Sequence, residues 1–163
     1  MKTLLLLRHG KSAWDESGVP DHDRPLNKRG KHDAPRMGRL LRDEDLVPDV
    51  ILSSTAKRAR RTAQLAAEAC GYEGEIELNE ELYLAGPEEY LEALHGLPDQ
   101  LERVMVVGHN PGLEELLEAL TGDAQPLPTA ALAEIELAIE HWQQAEAAQG
   151  RLVGLWLPRE QEG

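Results

Sequence analysis

The sequence predicts an α/β fold, a three-layer α/β/α sandwich built on a mostly parallel central sheet. Two observations lead there. Short runs of consecutive apolar residues, Leu4–Leu7, Val50–Leu52 and Val104–Val107, suit strands buried on both faces, and each ends in glycine, hydroxyl or charged residues. Between these runs lie stretches of helix-forming residues with helical spacing of apolar positions, so strand and helix alternate as in sheets covered on both sides.

Taken in order, Leu4–Leu7 ends in Arg8-His9-Gly10, where the glycine is expected to let the chain turn sharply. The polar segment Lys11 to Asn27, punctuated by Gly18, Pro20 and Pro25, reads as a long functional loop. A helix follows over about Lys28 to Asp43, with Met37, Leu40 and Leu41 on its apolar side and Pro48 behind it. Val50–Leu52 is the second strand, and Ser53-Ser54-Thr55 offer capping hydroxyls to an alanine-rich helix from Ala56 to Cys70. Arg58 therefore falls in the first turn of a helix that begins at a strand's carboxyl end. A weaker strand at Glu75 to Leu78 leads to Asn79–Tyr83, and Pro87 opens a helix to about His95. After the fourth strand, Val104–Val107, Asn110 is placed to cap and Pro111 to start a helix over Leu113–Leu120. Beyond Pro126 and Pro128, Leu132 to Ile139 alternates as a strand, Trp142 to Ala148 is a short helix or loop, and Leu152–Leu157 closes the sheet.

The chain of 163 residues is expected to form one domain, 1–163, large enough to bury a core without staples. A net charge of −13 argues against nucleic acid or anionic membrane as a general partner, since counterion release would supply no binding energy. Cys70 is the single cysteine, which rules out an intrachain disulfide; with no leader-like segment, a reducing cytoplasmic setting is expected. It reads as a small buried hydrophobe. No apolar run approaches the roughly 20 residues that cross a bilayer. Basic residues nevertheless gather in the first 61 positions, as an anion site in so acidic a chain would require.

In sheets of this kind ligands bind beyond the carboxyl ends of the strands. Arg8 and His9 follow the first strand, Arg58 the second and His109 the fourth, so three separated pieces of chain can bring two arginines and two histidines to one edge. That set suits covalent phosphoryl transfer. A neutral imidazole nitrogen can attack phosphorus without an activating metal, provided the other ring nitrogen has an acceptor, which the sequence does not name. Arg8 and Arg58 match phosphate geometry with planar forks, and His109 and helix N-termini add donors. No His, Asp or Glu cluster has metal-ligand spacing, and neither metal nor cofactor is expected.

Three segments, Arg8-His9-Gly10-Lys11-Ser12, Ser54-Thr55-Ala56-Lys57-Arg58-Ala59 followed by Thr62-Ala63, and Val107-Gly108-His109-Asn110-Pro111-Gly112, resemble the motifs of the histidine phosphatase superfamily, whose fold is phosphoglycerate mutase-like. Ala13-Trp14, Asp23-Arg24-Pro25-Leu26 before Gly30, and Pro128-Thr129-Ala130-Ala131 extend the likeness to the small phosphohistidine phosphatase, SixA-type branch. The resemblance implies that His9 is the phosphorylated nucleophile and that Arg8, Arg58 and His109 form the phosphate pocket, with Ser12 and Asn110 as further phosphate or substrate contacts. Many members place a glutamate after the third strand as proton donor. Glu80 and Glu81 occupy about that region, although the small branch often lacks this acid and an exposed loop carboxylate is the preferred reading for both. His22, His32, His95 and His141 are read as ordinary surface or margin residues.

Every connection but the first is short, which implies an open site with room for a phosphorylated protein, phosphohistidine above all. A small phosphorylated metabolite is the alternative substrate. Readings of another class are a noncatalytic phosphate-binding module and a relay carrier that stores phosphate on His9. Nothing in the sequence sets the oligomeric state.

Overall fold

The computed structural model describes residues 1–14 and 18–160. Six strands form a single mixed sheet: β1 (Lys2–Arg8), β2 (Val50–Ser53), β3 (Ile76–Leu78), β4 (Arg103–Gly108), β5 (Leu132–Leu137) and β6 (Gly150–Trp156), in the order β3-β2-β4-β1-β5-β6. The first four in that order run parallel, whereas β5 is antiparallel to β1 and β6 antiparallel to β5. Four helices, α1 (Lys28–Asp43), α2 (Lys57–Cys70), α3 (Pro87–His95) and α4 (Gly112–Thr121), cover the two faces. The α/β sandwich expected from the alternation is the one observed.

The four leucines of β1 show why its apolar run is unbroken. Successive side chains leave a strand on opposite faces. Leu4 and Leu6 enter the core under α3 and α4 with Leu113, Leu116 and Leu117, and Leu5 and Leu7 enter the core under α1 and α2 with Met37, Ala59 and Ala63. All four are fully buried, each contributing roughly 1.5–3 kcal/mol of apolar transfer. β1 is thus fixed from both sides, and with it the position of Arg8 and His9 at its carboxyl end.

Two local expectations are corrected. Asn110 does not cap the helix after β4. Its amide nitrogen donates to the Glu114 carboxylate at 2.9 Å and to the Leu127 carbonyl at 2.8 Å, and α4 begins at Gly112. The hydroxyls after β2 do not cap α2 directly either. Ala56 is the N-cap, and Ser54 Oγ accepts from the Ala56 amide just ahead of it. Gly10, at the expected turn, has no positive φ, and its lack of a side chain also admits a close neighbour. A Cβ there would meet the Gly30 Cα at 3.0 Å, and one on Gly30 would run into the Lys11 carbonyl, so the two glycines let the first turn of α1 lie against the chain at Gly10-Lys11. The loop predicted over Lys11 to Asn27 is described apart from residues 15–17. It contains a short 3-10 turn at Asp21–Asp23 and a β-bridge between Ser12 and Leu26.

β3 is a short edge strand, β5 stops at Leu137 and not Ile139, and Trp142–Gln144 forms a single 3-10 turn. Cys70 is buried, as its hydrophobic reading anticipated. Among the described residues no helix is long and apolar enough to cross a membrane.

Candidate active site

A cavity of about 630 Å³ opens at the carboxyl edge of the parallel strands. Arg8, His9, Ser12, Arg58, His109 and Asn110 all line it, so the residues singled out at three strand ends do share one address. Adjacent residues of a strand point to opposite faces, yet Arg8 and His9 both reach this cavity. His9 lies beyond the last strand residue, where the pleat no longer dictates direction. Backbone bonds hold it there: the His9 amide donates to the Gly108 carbonyl, and the Ala130 amide donates to the carbonyls of both Arg8 and His9.

The His9 ring is only 7% exposed. Its Nδ1 lies 2.7 Å from the carbonyl of Gly10, which can only accept. Nδ1 therefore carries the ring proton, and Nε2 keeps its lone pair. This is the acceptor that the sequence left unnamed, and it is missed because a backbone carbonyl has no residue signature. The Gly10 amide in turn donates to Thr62 Oγ1 at 2.9 Å, and the Thr62 hydroxyl donates to the Arg58 carbonyl at 2.7 Å. One buried threonine thus ties the loop after His9 to the helix that carries Arg58.

The His109 ring centroid lies 5.0 Å from that of His9. Its Nε2 is 2.8 Å from Ser54 Oγ, and its buried Nδ1 has no protein partner. Ser54 Oγ already accepts from the Ala56 amide, so its own proton is available to Nε2, which leaves Nδ1–H as a free donor. Arg8 donates to the Leu127 carbonyl at 3.0 Å, and its Nε, like that of Arg58, is buried without a partner. Arg24, which also lines the cavity, has two more such nitrogens, so four cavity-lining side chains hold buried polar nitrogens with no protein partner, a surface that favours a ligand rich in acceptors.

Burial pulls the His9 pKa down to about 4, and the guanidiniums of Arg58, Arg8 and Arg24 push the same way against the Gly10 hydrogen bond. Burial likewise takes His109 to about 3, with His9, Arg58 and Arg8 reinforcing it and Asp21 opposing. Both rings are neutral at pH 7. An unperturbed histidine would lose half its nucleophilic form by about pH 6.5. The acid limb of kcat/KM, corrected for substrate ionisation, is accordingly expected near pH 4, and a limb assigned to His9 at pH 6–7 would contradict this. Stability changes in the same interval. Both groups are lowered relative to the unfolded chain, so the unfolded state binds more protons below pH 6.5 and stability is lost as pH falls toward 4.

Glu80 and Glu81 do not line the cavity. They sit on an exposed 3-10 turn, where Asn79 Oδ1 accepts from the Glu81 amide and directs the turn outward. The carboxylate that does line the cavity among the described residues is Glu115, in the exposed first turn of α4.

Three residues here were not picked out from the sequence. Arg58, 6% exposed, donates through one terminal nitrogen to the Asp21 carbonyl at 2.7 Å and through the other to the Asp21 carboxylate at 3.1 Å. The Tyr83 hydroxyl donates to the same carboxylate, and Arg24 pairs with it at 3.0 Å. The Tyr83 hydroxyl bond, then Arg58 and Arg24, hold the Asp21 carboxyl below its ordinary value. His22, read as ordinary, joins this group: its Nε2 lies 2.9 Å from Thr55 Oγ1 and its ring packs edge-on against Tyr83. An aspartate in a polar loop followed by 61 residues of unrelated chain carries no local signal of that partnership. Asp21 positions Arg58 and also weakens its field. Asp21→Asn is therefore expected to lower kcat about tenfold through lost positioning while lowering KM; unchanged kcat would refute the positioning role.

Among the described residues no group of three His, Cys, Asp or Glu side chains is arranged to hold a metal ion. Residues 4–83 match the profile of the histidine phosphatase superfamily, branch 1. An uncharacterized chloroplastic protein of Arabidopsis thaliana is 33% identical over 171 residues, spanning 96% of this chain and 78% of its own. The candidate phosphohistidine phosphatase SixA of Agrobacterium tumefaciens superposes with a TM-score of 0.81 at 34% identity, covering 96% of this chain and 98% of that one. Its counterpart from Nakamurella multipartitia gives 0.78 at 30% identity, with 96% of each chain covered. The chain belongs to the histidine phosphatase superfamily, as a phosphatase with a SixA-like fold.

Proposed function

We propose that this phosphatase removes the phosphoryl group from phosphohistidine on a protein, through a phosphohistidine intermediate on His9 and without a metal. The observation that carries the reading is the set of buried, unpartnered donors on Arg8, Arg58 and His109 around a neutral His9 whose Nε2 is free. A tetrahedral oxyanion offers acceptors to all three donors while its phosphorus faces the lone pair.

In the first step, a bond forms between His9 Nε2 and phosphorus as the bond from phosphorus to the substrate's imidazole nitrogen breaks. The electron pair leaves with that nitrogen, which takes up a proton. Equatorial charge is met by the guanidiniums of Arg8 and Arg58 and by His109 Nδ1–H. Water then attacks phosphorus, inorganic phosphate departs, and His9 is restored with its Nδ1 proton still directed at Gly10. Ser12, at the buried edge of the cavity, is a further phosphate contact; Asn110 contributes by holding the Leu127 turn, whose carbonyl also accepts from Arg8. An imidazole leaves readily once protonated by solvent, so the site needs no strong internal acid for this substrate, in keeping with the outward position of Glu80 and Glu81.

Phosphate release at neutral pH in the presence of EDTA, from a phosphohistidine-bearing protein and an aryl phosphate ester in parallel, tests the reading. It predicts metal-free release from both, with the larger kcat/KM on phosphohistidine. Preference for a small ester would favour the metabolite alternative. Phosphate binding without release would favour a binding module, and a phosphorylated His9 that water does not clear would favour a carrier.

A further inference from the structure

A second depression of about 470 Å³ adjoins the catalytic cavity and shares Lys11, Ser12 and Trp14 with it; Leu26, Lys28 and Lys31 complete its wall. Its floor is built by backbone pairing. Ser12 bridges to Leu26, the Asn27 amide donates to the Lys11 carbonyl at 2.9 Å, and the Ala13 amide donates to the Pro25 carbonyl at 2.9 Å. Asn27 Oδ1 then accepts from the Gly30 amide and caps α1, which fixes Lys28 and Lys31, three residues apart, on one helix face.

The charge of this groove is at odds with its surroundings. The chain carries −13 overall, yet Lys11, Lys28 and Lys31 form no ion pair or side-chain hydrogen bond with any described residue. Lys28, Arg29 and Lys31 also occupy the first turn of α1, which holds no acidic residue, although the helix dipole there favours anions and opposes cations. Arg29 is compensated by Asp33 one turn on, at 3.5 Å, whereas Lys28 and Lys31 have no such contact among the described residues, so their ammoniums are available to an anionic partner.

We infer that this groove holds an acidic polypeptide segment flanking the phosphorylated residue, an inference that rests on the protein-phosphohistidine reading of the catalytic site. The two basic regions differ in chemistry. Arginine forks, suited to bidentate phosphate, lie in the catalytic cavity, whereas the groove has no arginine: Lys28 and Lys31, with Lys11 shared between the two, present separated ammoniums suited as point charges to spaced carboxylates. Trp14, 74% exposed, lines both, an apolar contact for a chain that crosses from cavity to groove.

Two phosphohistidine peptides that differ only in carrying glutamates or glutamines beside the phosphorylated residue provide the test. The full chain is expected to favour the acidic peptide about tenfold in kcat/KM, with the ratio shrinking as salt rises. In K28Q/K31Q the ratio should fall toward one, and in K28E/K31E it should drop below one. The glutamate variant suits the helix N-terminus, so α1 will persist. Equal kcat/KM for both peptides in the unaltered chain, or a preference untouched by either double variant, overturns the acidic-segment inference and leaves the catalytic reading standing. Hydrolysis of an aryl phosphate with no release from either peptide overturns both. A lysine-dependent preference confined to small bisphosphorylated molecules overturns the polypeptide occupant.

Discussion

His9→Ala is expected to abolish turnover, by at least about 10⁴-fold, on every phosphate substrate while the protein still unfolds cooperatively. The magnitude follows from the role: without Nε2 no covalent intermediate forms, and the remaining donors only bind phosphate. The fold survives because the ring lies past the end of β1, and the backbone bonds from His9 to Gly108 and Ala130 do not involve the side chain. The variant should still bind inorganic phosphate through Arg8, Arg58 and His109, which isothermal titration can read. Residual turnover near the unaltered rate would remove His9 from the nucleophile's role.

Arg58→Ala is expected to cost about 10²–10³ in kcat, or about 3–4 kcal/mol, as for removal of one preorganised donor at a developing oxyanion. Global stability should change little. Asp21, the partner left behind, is half-exposed, and its carboxylate can be hydrated once the guanidinium is gone. Arg58→Lys should recover only a small part of the loss, since an ammonium restores charge but not the fork held by the Asp21 carbonyl and carboxylate. Steady-state kinetics on all three proteins reads this directly; full rescue by lysine would mean that charge alone, without the fork, does the work.

The parts of this architecture that were legible in sequence are those set by local pattern. Leu4–Leu7 reads as a two-faced strand because both faces are buried, and Arg58 reads as a first-turn residue because its position after Val50–Leu52 follows from chain order. The parts that were not legible depend on pairing across distance. β5 alone runs against the other five strands, with β6 reversing again beside it, and an apolar strand looks alike in either direction. Ser54 looks like a cap, and it becomes the partner of His109 only because β2 and β4 lie side by side in the sheet. Asn110 looks like a cap as well, but its NH2 is tied to Glu114 and the Leu127 carbonyl, and its Oδ1, the atom that would cap, meets no amide of α4. Asp21 and Tyr83 meet Arg58 through folding alone. Gly10 was legible as a turn, but that it also admits Gly30 was not, because that contact is between residues distant in sequence.

Rapid quenching of the enzyme with a phosphohistidine protein, followed by mass spectrometry under alkaline conditions that preserve phosphoramidates, tests the central claim most directly. The account predicts transient, stoichiometric phosphorylation of His9 that forms and decays at rates consistent with turnover, and that is absent in His9→Ala. Phosphate release with no phosphorylated His9 at any time, or with the phosphoryl group on another residue, would contradict it.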